Sequence, residues 1–176
     1  ALLGFAEADL AIERIVREHD AYATVGHVAV EPDAVNVIPG VAEFSLDLRA
    51  ETTERRDAVW EQVRAELELI ADRRGLALAA VSTHRAAAAV CDDALRAALR
   101  AGIAAMGDDD PLELYSVAGH DAMAIAAIAP VGMLFVRCAG GVSHSPDESV
   151  RPDDVALAVD ALEAAVRSVA LEASVR

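Results

Sequence analysis

Five histidines hold most of this chain's options for proton or metal chemistry: His19, His27, His84, His120 and His144. His144 sits in the stretch Gly140-Gly141-Val142-Ser143-His144-Ser145-Pro146-Asp147-Glu148, where two glycines permit a sharp turn and two serines flank the imidazole. His120 sits in Ala118-Gly119-His120-Asp121. Each follows an apolar stretch that reads as a strand, and loops at the carboxyl ends of strands are where layered α/β domains bind ligands. Plainer readings stand beside these. AGHD also fits a backbone turn with Asp121 capping a helix, and His144 also fits a hydrogen-bonded turn before the last helix. His19 falls at a helix end, where a cation offsets the dipole. His27 shares a polar strand face, and His84 reads as a surface residue at a strand end.

A hydrolytic zinc needs three protein ligands and an open position for water. No HExxH motif supplies them, and Asp108-Asp109-Asp110 reads as a solvated loop. Asp153-Asp154 begins a helix and suits its dipole. Cys91 and Cys138 are too few for a disulfide framework and have no zinc spacing, so a reduced, cytoplasmic protein is expected. There is no nucleophile elbow, phosphate loop or dinucleotide fingerprint. The residues alone thus yield a ligand loop without the rest of a site.

The elements that must position these residues follow from pattern. Leu3, Leu10, Ile12, Ile15 and Val16 predict an amphipathic helix over 1–19. TVGHVAVE at 24–31 predicts a strand, and Asn36-Val37-Ile38 an extended path before the Pro39-Gly40 turn. In VAEFSLDLR, Ala42, Phe44, Leu46 and Leu48 alternate with Glu43, Ser45, Asp47 and Arg49, so 24–49 is expected to be an antiparallel hairpin with one polar face. Thr52 or Thr53 caps a helix over 54–74, with Val59, Val63, Leu67 and Ile70 as its stripe and Gly75 as its end. LALAAVSTH predicts a strand at 76–84. This gives an α+β unit, with a boundary at the alanine-rich 85–90. Beyond it, a helix from Asp92 or Asp93 to about Arg100 is expected. A strand at 112–117, a short helix to about 128 and an apolar strand at 131–136 follow. A last helix from Pro152, with Val155, Val159, Leu162, Val166 and Val169 as its core stripe, completes part of a layered α/β domain.

Composition excludes several classes. The 176 residues are 55% hydrophobic, 3% aromatic, and carry a net charge of −15 with no lysine. Such an acidic chain is a poor partner for nucleic acid or an anionic membrane surface. No run of about 20 apolar residues is present to cross a bilayer. The opening ALLGFAEADLAIERIV lacks a basic start and reads as a helix already under way, so a fragment of a longer chain is expected.

TVGHVAVEPDAVNVIPGVAEFSLDLR, SVAGHDAMAIAAIAPVGMLFV and GGVSHSPDE together resemble the amidase, hydantoinase and carbamoylase branch of the zinc-exopeptidase-like amidohydrolases. The resemblance implies an α+β lid of antiparallel strands and two helices at 1–86, incomplete at its start. Part of an α/β layered catalytic domain follows at 87–176. It implies homodimerisation through the lid, and a divalent metal, zinc first, with manganese, nickel or cobalt as alternatives. His144 maps onto a metal ligand. Asn36 of NVIPG and Arg49 of DLR map onto substrate-binding positions, as do Gly119 and His120 of the GAGHDA loop, although Val117 here replaces that loop's first glycine. A planar guanidinium suits a substrate carboxylate, and an amide side chain suits a ureido group. The general base and remaining metal ligands belong to motifs this sequence lacks, so no catalytic residue is assigned. The expected parent activity is hydrolysis of linear C–N bonds in N-carbamoyl-amino-acid or ureido-type small molecules, the chain alone being inactive. The alternatives are a noncatalytic dimerisation or binding module, or a related aminoacylase or peptidase.

Overall fold

The structure is a computed structural model and describes residues 1–174. It divides into two units, Ala1–Ala88 with Tyr115–Gly119, and Ala89–Leu114 with the residues from His120 onward. Each is described by itself.

The first unit begins with α1 (Leu2–Glu18) and continues through β1 (Tyr22–Thr24), β2 (Val28–Glu31), β3 (Val41–Phe44) and β4 (Asp47–Arg49) to α2 (Thr53–Arg74). β2 pairs antiparallel with β3 and β1 with β4, which nests the pairs as one interrupted hairpin. The expected single strands are therefore each split. At the break, the His27 carbonyl accepts from Ser45 N–H at 3.0 Å and the Ser45 hydroxyl accepts from His27 N–H at 3.0 Å. A side chain thus takes one hydrogen bond that an unbroken ladder would supply. The alternation over 42–49 holds: Ala42, Phe44, Leu46 and Leu48 are half-buried, while Glu43, Ser45, Asp47 and Arg49 are exposed.

α2 starts where Thr52 accepts a hydrogen bond from Arg55 N–H at 3.1 Å, and it stops at Gly75, whose φ of 63° is the left-handed closure glycine favours. Its expected stripe of Val59, Val63, Leu67 and Ile70 is buried, and with Ile12, Ile15 and Val16 of α1 it forms the core. The expected α1 stripe needs correction. Leu3 and Leu10 are 72% and 69% exposed, and Gly4 and Ala8 are buried in their place. Close approach of α1 to its neighbours favours small residues there, and a Cβ on Gly4 would lie 2.5 Å from Leu76 Cδ1. Phe5 and Phe44 meet with ring centroids 5.0 Å apart and planes tilted by 50°, and Glu7 pairs with both Arg73 and Arg74.

The second unit contains α3 (Asp93–Ala105), α4 (Ala122–Ile125), a single 3₁₀ turn at Ala139–Gly141 and α5 (Pro152–Ser174). Asp92 caps α3, accepting from Ala94 and Leu95 N–H at 2.9 and 3.0 Å. α3 continues five residues past the expected end at Arg100. Gly102 lies inside it because α5 passes so close that a Cβ there would lie 2.3 Å from the Ala161 carbonyl oxygen. α4 is shorter than expected. Among the described residues strands are confined to β1–β4, so 76–84, 112–117 and 131–136 are not strands. The face of α5 is also corrected. Ala161 and Ala165 are buried, and the expected core stripe of Val155, Val159, Leu162, Val166 and Val169 is exposed.

Candidate functional site

The best-defined polar cluster lies at the base of the hairpin. Arg49 is on β4, opposite Tyr22 of β1. Its neighbour two residues back, Asp47, points to the same polar face because strand side chains alternate. The pair is bidentate: Arg49 Nε donates to Asp47 Oδ1 at 2.9 Å and Nη2 donates to Oδ2 at 2.7 Å. Nη1 donates to the Val117 carbonyl at 2.8 Å. Three of the five guanidinium N–H donors are thereby engaged, leaving one on each Nη for a ligand. Arg49 holds the Asp47 carboxyl below its ordinary range, chiefly through these hydrogen bonds, with a smaller contribution from His84. In return, Asp47 raises the Arg49 pKa.

Val117 belongs to Tyr115–Gly119, which joins the first unit. Tyr115 packs against Tyr22 with ring centroids 6.4 Å apart and planes tilted by 43°, and burial pushes its hydroxyl pKa up. Gly119 and His120 are exposed in the following loop. The pairing of Asp47 and the ring contact of Tyr115 are not legible from the sequence motifs. The D-x-R spacing on an alternating strand is the signal that could have found the first.

Asn36 occupies a turn rather than the expected extended path, with Val37 N–H donating to the Ala34 carbonyl at 3.4 Å. It lines an open cleft of about 650 Å³ together with Leu2, Leu3, Ile38, Arg74 and Leu76. Arg74 ends α2, whereas Arg49 stands just ahead of its start. A helix of 22 residues is ~33 Å long at 1.5 Å per residue. The first unit therefore places Asn36 toward the end of α2 and Arg49 just ahead of its start.

His144 lies in the second unit on a tightly specified loop. Gly140 and Gly141 have φ of 64° and 69°, and His144 itself has φ of 57°. Histidine is among the non-glycine residues found more often in this region. Glu148 fixes the conformation, its Oε2 accepting from His144 N–H at 2.8 Å. Among the described residues, no three histidine, cysteine, aspartate or glutamate side chains gather where a metal ion could be held. His144 supplies one imidazole, and the described residues do not complete a metal centre by themselves, so no chemical step is derived through one.

The sequence between these positions decides the family, because residues 7–168 match Peptidase family M20/M25/M40. The chain belongs to that family. It is 42% identical over 139 residues to allantoate deiminase 1 of Glycine max, covering 75% of this chain and 29% of that protein. It is 38% identical over 132 residues to the N-carbamoyl-L-amino-acid amidohydrolase of Pseudomonas sp. (strain NS671), covering 75% and 32%. Its fold matches the crystal structure of an amidase of the hydantoinase/carbamoylase family from Burkholderia vietnamiensis with a TM-score of 0.82 at 33% identity, covering 96% of this chain and 41% of that one. The resemblance to hydantoinase/carbamoylase amidases is thus borne out. This M20 chain spans about a third of the length of the curated relatives it matches.

Proposed function

We propose that this chain is the C-terminal portion of a metal-dependent amidohydrolase that cleaves linear C–N bonds in N-carbamoyl-amino-acid or ureido-type small molecules. In this reading, 1–86 is a lid and dimerisation domain and 87–176 the final segment of the catalytic domain, in a cytoplasmic enzyme. The relatives' names support the substrate class. The observation that carries it at the residue level is the preset guanidinium of Arg49. A fixed fork loses less freedom on binding a carboxylate than a mobile side chain would. Asn36 takes the ureido end, and Gly119 and His120 line the same substrate.

The separation of Asn36 from Arg49 bears on assembly. A small carbamoyl amino acid is much shorter than α2, toward whose opposite ends the two side chains stand. One substrate that meets both side chains must take them from two copies, which supports a homodimer built through the lid. His144 contributes one ligand to a divalent metal, zinc by preference, with the other ligands and the general base supplied from outside residues 1–176. Such a metal, held by His144 together with ligands from outside this chain, would supply Lewis acidity.

The test is hydrolysis of an N-carbamoyl amino acid with zinc, manganese, nickel or cobalt added, combined with metal content and intact mass. The chain is assayed alone and mixed with the portion of the Burkholderia vietnamiensis amidase that it does not match. Turnover in the mixture only, lost with His144→Ala, is the expected result. A mixed complex that forms but shows no turnover with any of the four metals would refute the assignment.

A further inference from the structure

The two tyrosines of the chain, Tyr22 and Tyr115, meet beside Arg49. Tyr22 on β1 is the register partner of Arg49 on β4, so the two side chains share one face of the strand pair, with Cβ atoms about 5 Å apart. The opposite face carries Ala23 and Leu48, which pack on the core. Tyr115 meets the ring of Tyr22, and the same segment returns the Val117 carbonyl to Arg49 Nη1. Arg49 and Glu51 both act by charge on the Tyr115 hydroxyl, so both groups lie near that ring. The rings touch each other, yet Tyr22 stays 52% exposed and Tyr115 39% exposed. Apolar ring surface left in water favours a ligand that covers it.

Arg49 by itself discriminates poorly between carboxylates. Asp47 already neutralises its charge through two hydrogen bonds, and the pair is exposed. A further carboxylate on the remaining N–H groups gains little from charge, because exposed ion pairs contribute little. The guanidinium fixes the direction of a ligand carboxylate, and the groups around it set the preference. A substituent next to that carboxylate reaches the tyrosine rings. An aromatic substituent gains from buried apolar area and from ring contact, whereas a hydrogen atom gains from neither. An acidic substituent meets the carboxylates of Asp47 and Glu51, which repel it.

We infer that Tyr22 and Tyr115 form an aromatic subsite beside Arg49, and that the ligand of this site is an N-carbamoyl amino acid with an aromatic side chain. Its carboxylate meets the guanidinium and its ring packs on the tyrosine pair. The inference rests on the reading of Arg49 as the residue that takes a substrate carboxylate. The tyrosine rings carry the contact, and their hydroxyls are not required for it. Tyr22 and Tyr115 are therefore specificity-determining residues, placed beside Arg49 by the β1–β4 register and by the Val117 hydrogen bond.

The experiment titrates the 176-residue chain with N-carbamoyl-L-phenylalanine, N-carbamoylglycine and N-carbamoyl-L-aspartate. Binding is followed by NMR through the Arg49 Nε–H and the tyrosine ring signals, so no turnover is needed. The phenylalanine derivative should bind about tenfold more tightly than the glycine derivative, the gain expected from covering one ring face. The aspartate derivative should bind no more tightly than the glycine derivative. Tyr22→Ala/Tyr115→Leu should abolish most of the preference for phenylalanine over glycine, and Tyr22→Phe/Tyr115→Phe should keep it. Equal affinity of the unaltered chain for the phenylalanine and glycine derivatives, with Arg49 Nε–H responding to both, would overturn the subsite and leave the reading of Arg49 intact. A preference that survives in Tyr22→Ala/Tyr115→Leu, or that is lost in Tyr22→Phe/Tyr115→Phe, would overturn the subsite as well. An Arg49 signal unmoved by all three compounds would overturn both the reading of Arg49 and the inference built on it.

Discussion

Gly102→Ala sets two opposed effects against each other at the joint between α3 and α5. Alanine favours a helix interior over glycine by about 1 kcal/mol. Against this, the new Cβ would lie 2.3 Å from the Ala161 oxygen, 3.2 Å from its carbonyl carbon and 3.3 Å from Ala165 N. Ordinary carbon–oxygen contacts are about 3.3 Å or longer, so α5 must recede by about 1 Å. A gap of that size forfeits roughly a quarter to a half of each affected dispersion contact. The obstructing atoms are backbone and cannot rotate aside, which places the cost near the upper end of the overpacking range, about 3 kcal/mol. The net expectation is a loss of about 2 kcal/mol, and Gly102→Val loses more. With urea slopes of 1–3 kcal/mol per molar, the midpoint falls by about 1 M. The single tryptophan, Trp60, lies in α2 of the first unit, so its fluorescence reports that unit while far-ultraviolet circular dichroism reports all helices. The shift should appear in dichroism and not in fluorescence. A stabilised Gly102→Ala protein would show that propensity outweighs the contact, and would refute the close approach argued for this helix pair.

Other perturbations address the first unit and the two polar sites. Thr52→Ala removes the α2 cap and should cost about 1 kcal/mol, read from urea unfolding by Trp60 fluorescence. Val63→Ala, at a fully buried position, should cost about 2 kcal/mol by the same assay, from lost transfer and a residual cavity. The Asp47 carboxyl has a depressed folded-state pKa because of Arg49. Its contribution is therefore complete above the unfolded value of about 3.9 and is lost as pH falls through the lower folded value. Carboxyl titration by NMR should show Asp47 rising in Arg49→Ala, and an unmoved titration would refute the pair. Glu148→Ala should free the His144 amide and speed its hydrogen exchange, with Glu148→Gln retaining most of the protection; equal rates in all three proteins would remove Glu148 from its role in the loop.

The parts legible in sequence share one property: the pattern that marked them is the pattern that packs. The stripe Val59, Val63, Leu67, Ile70 predicts the buried face of α2 because large side chains there fill the space against α1. Alternation over 42–49 puts Arg49 on the exposed face because the hairpin covers one side only. The splitting of the strands was not legible, since it depends on a serine hydroxyl taking a backbone bond across the sheet. Segments 112–117 and 131–136 read as strands from composition, yet a strand needs a neighbour, and pairing is not a property of one segment.

α5 shows why a hydrophobic period can point to the wrong contact. Its valines and leucine repeat at helical spacing, so they outrank the alanines on any hydrophobicity count. The contact with α3 is chosen by distance instead. Gly102 lets the helix backbones come close enough to reach Ala161, and small residues line the α5 side of that contact. The larger residues are thereby turned about 100° away, the angle of one helical residue. Thus one helix holds two apolar faces, a small-residue face against α3 and an exposed valine face. If the valine face has no partner of its own, Val159→Asp and Val166→Asp should leave every association of this chain unchanged. If it has one, those two substitutions should be the most damaging exposed changes in the second unit while its helix content stays the same.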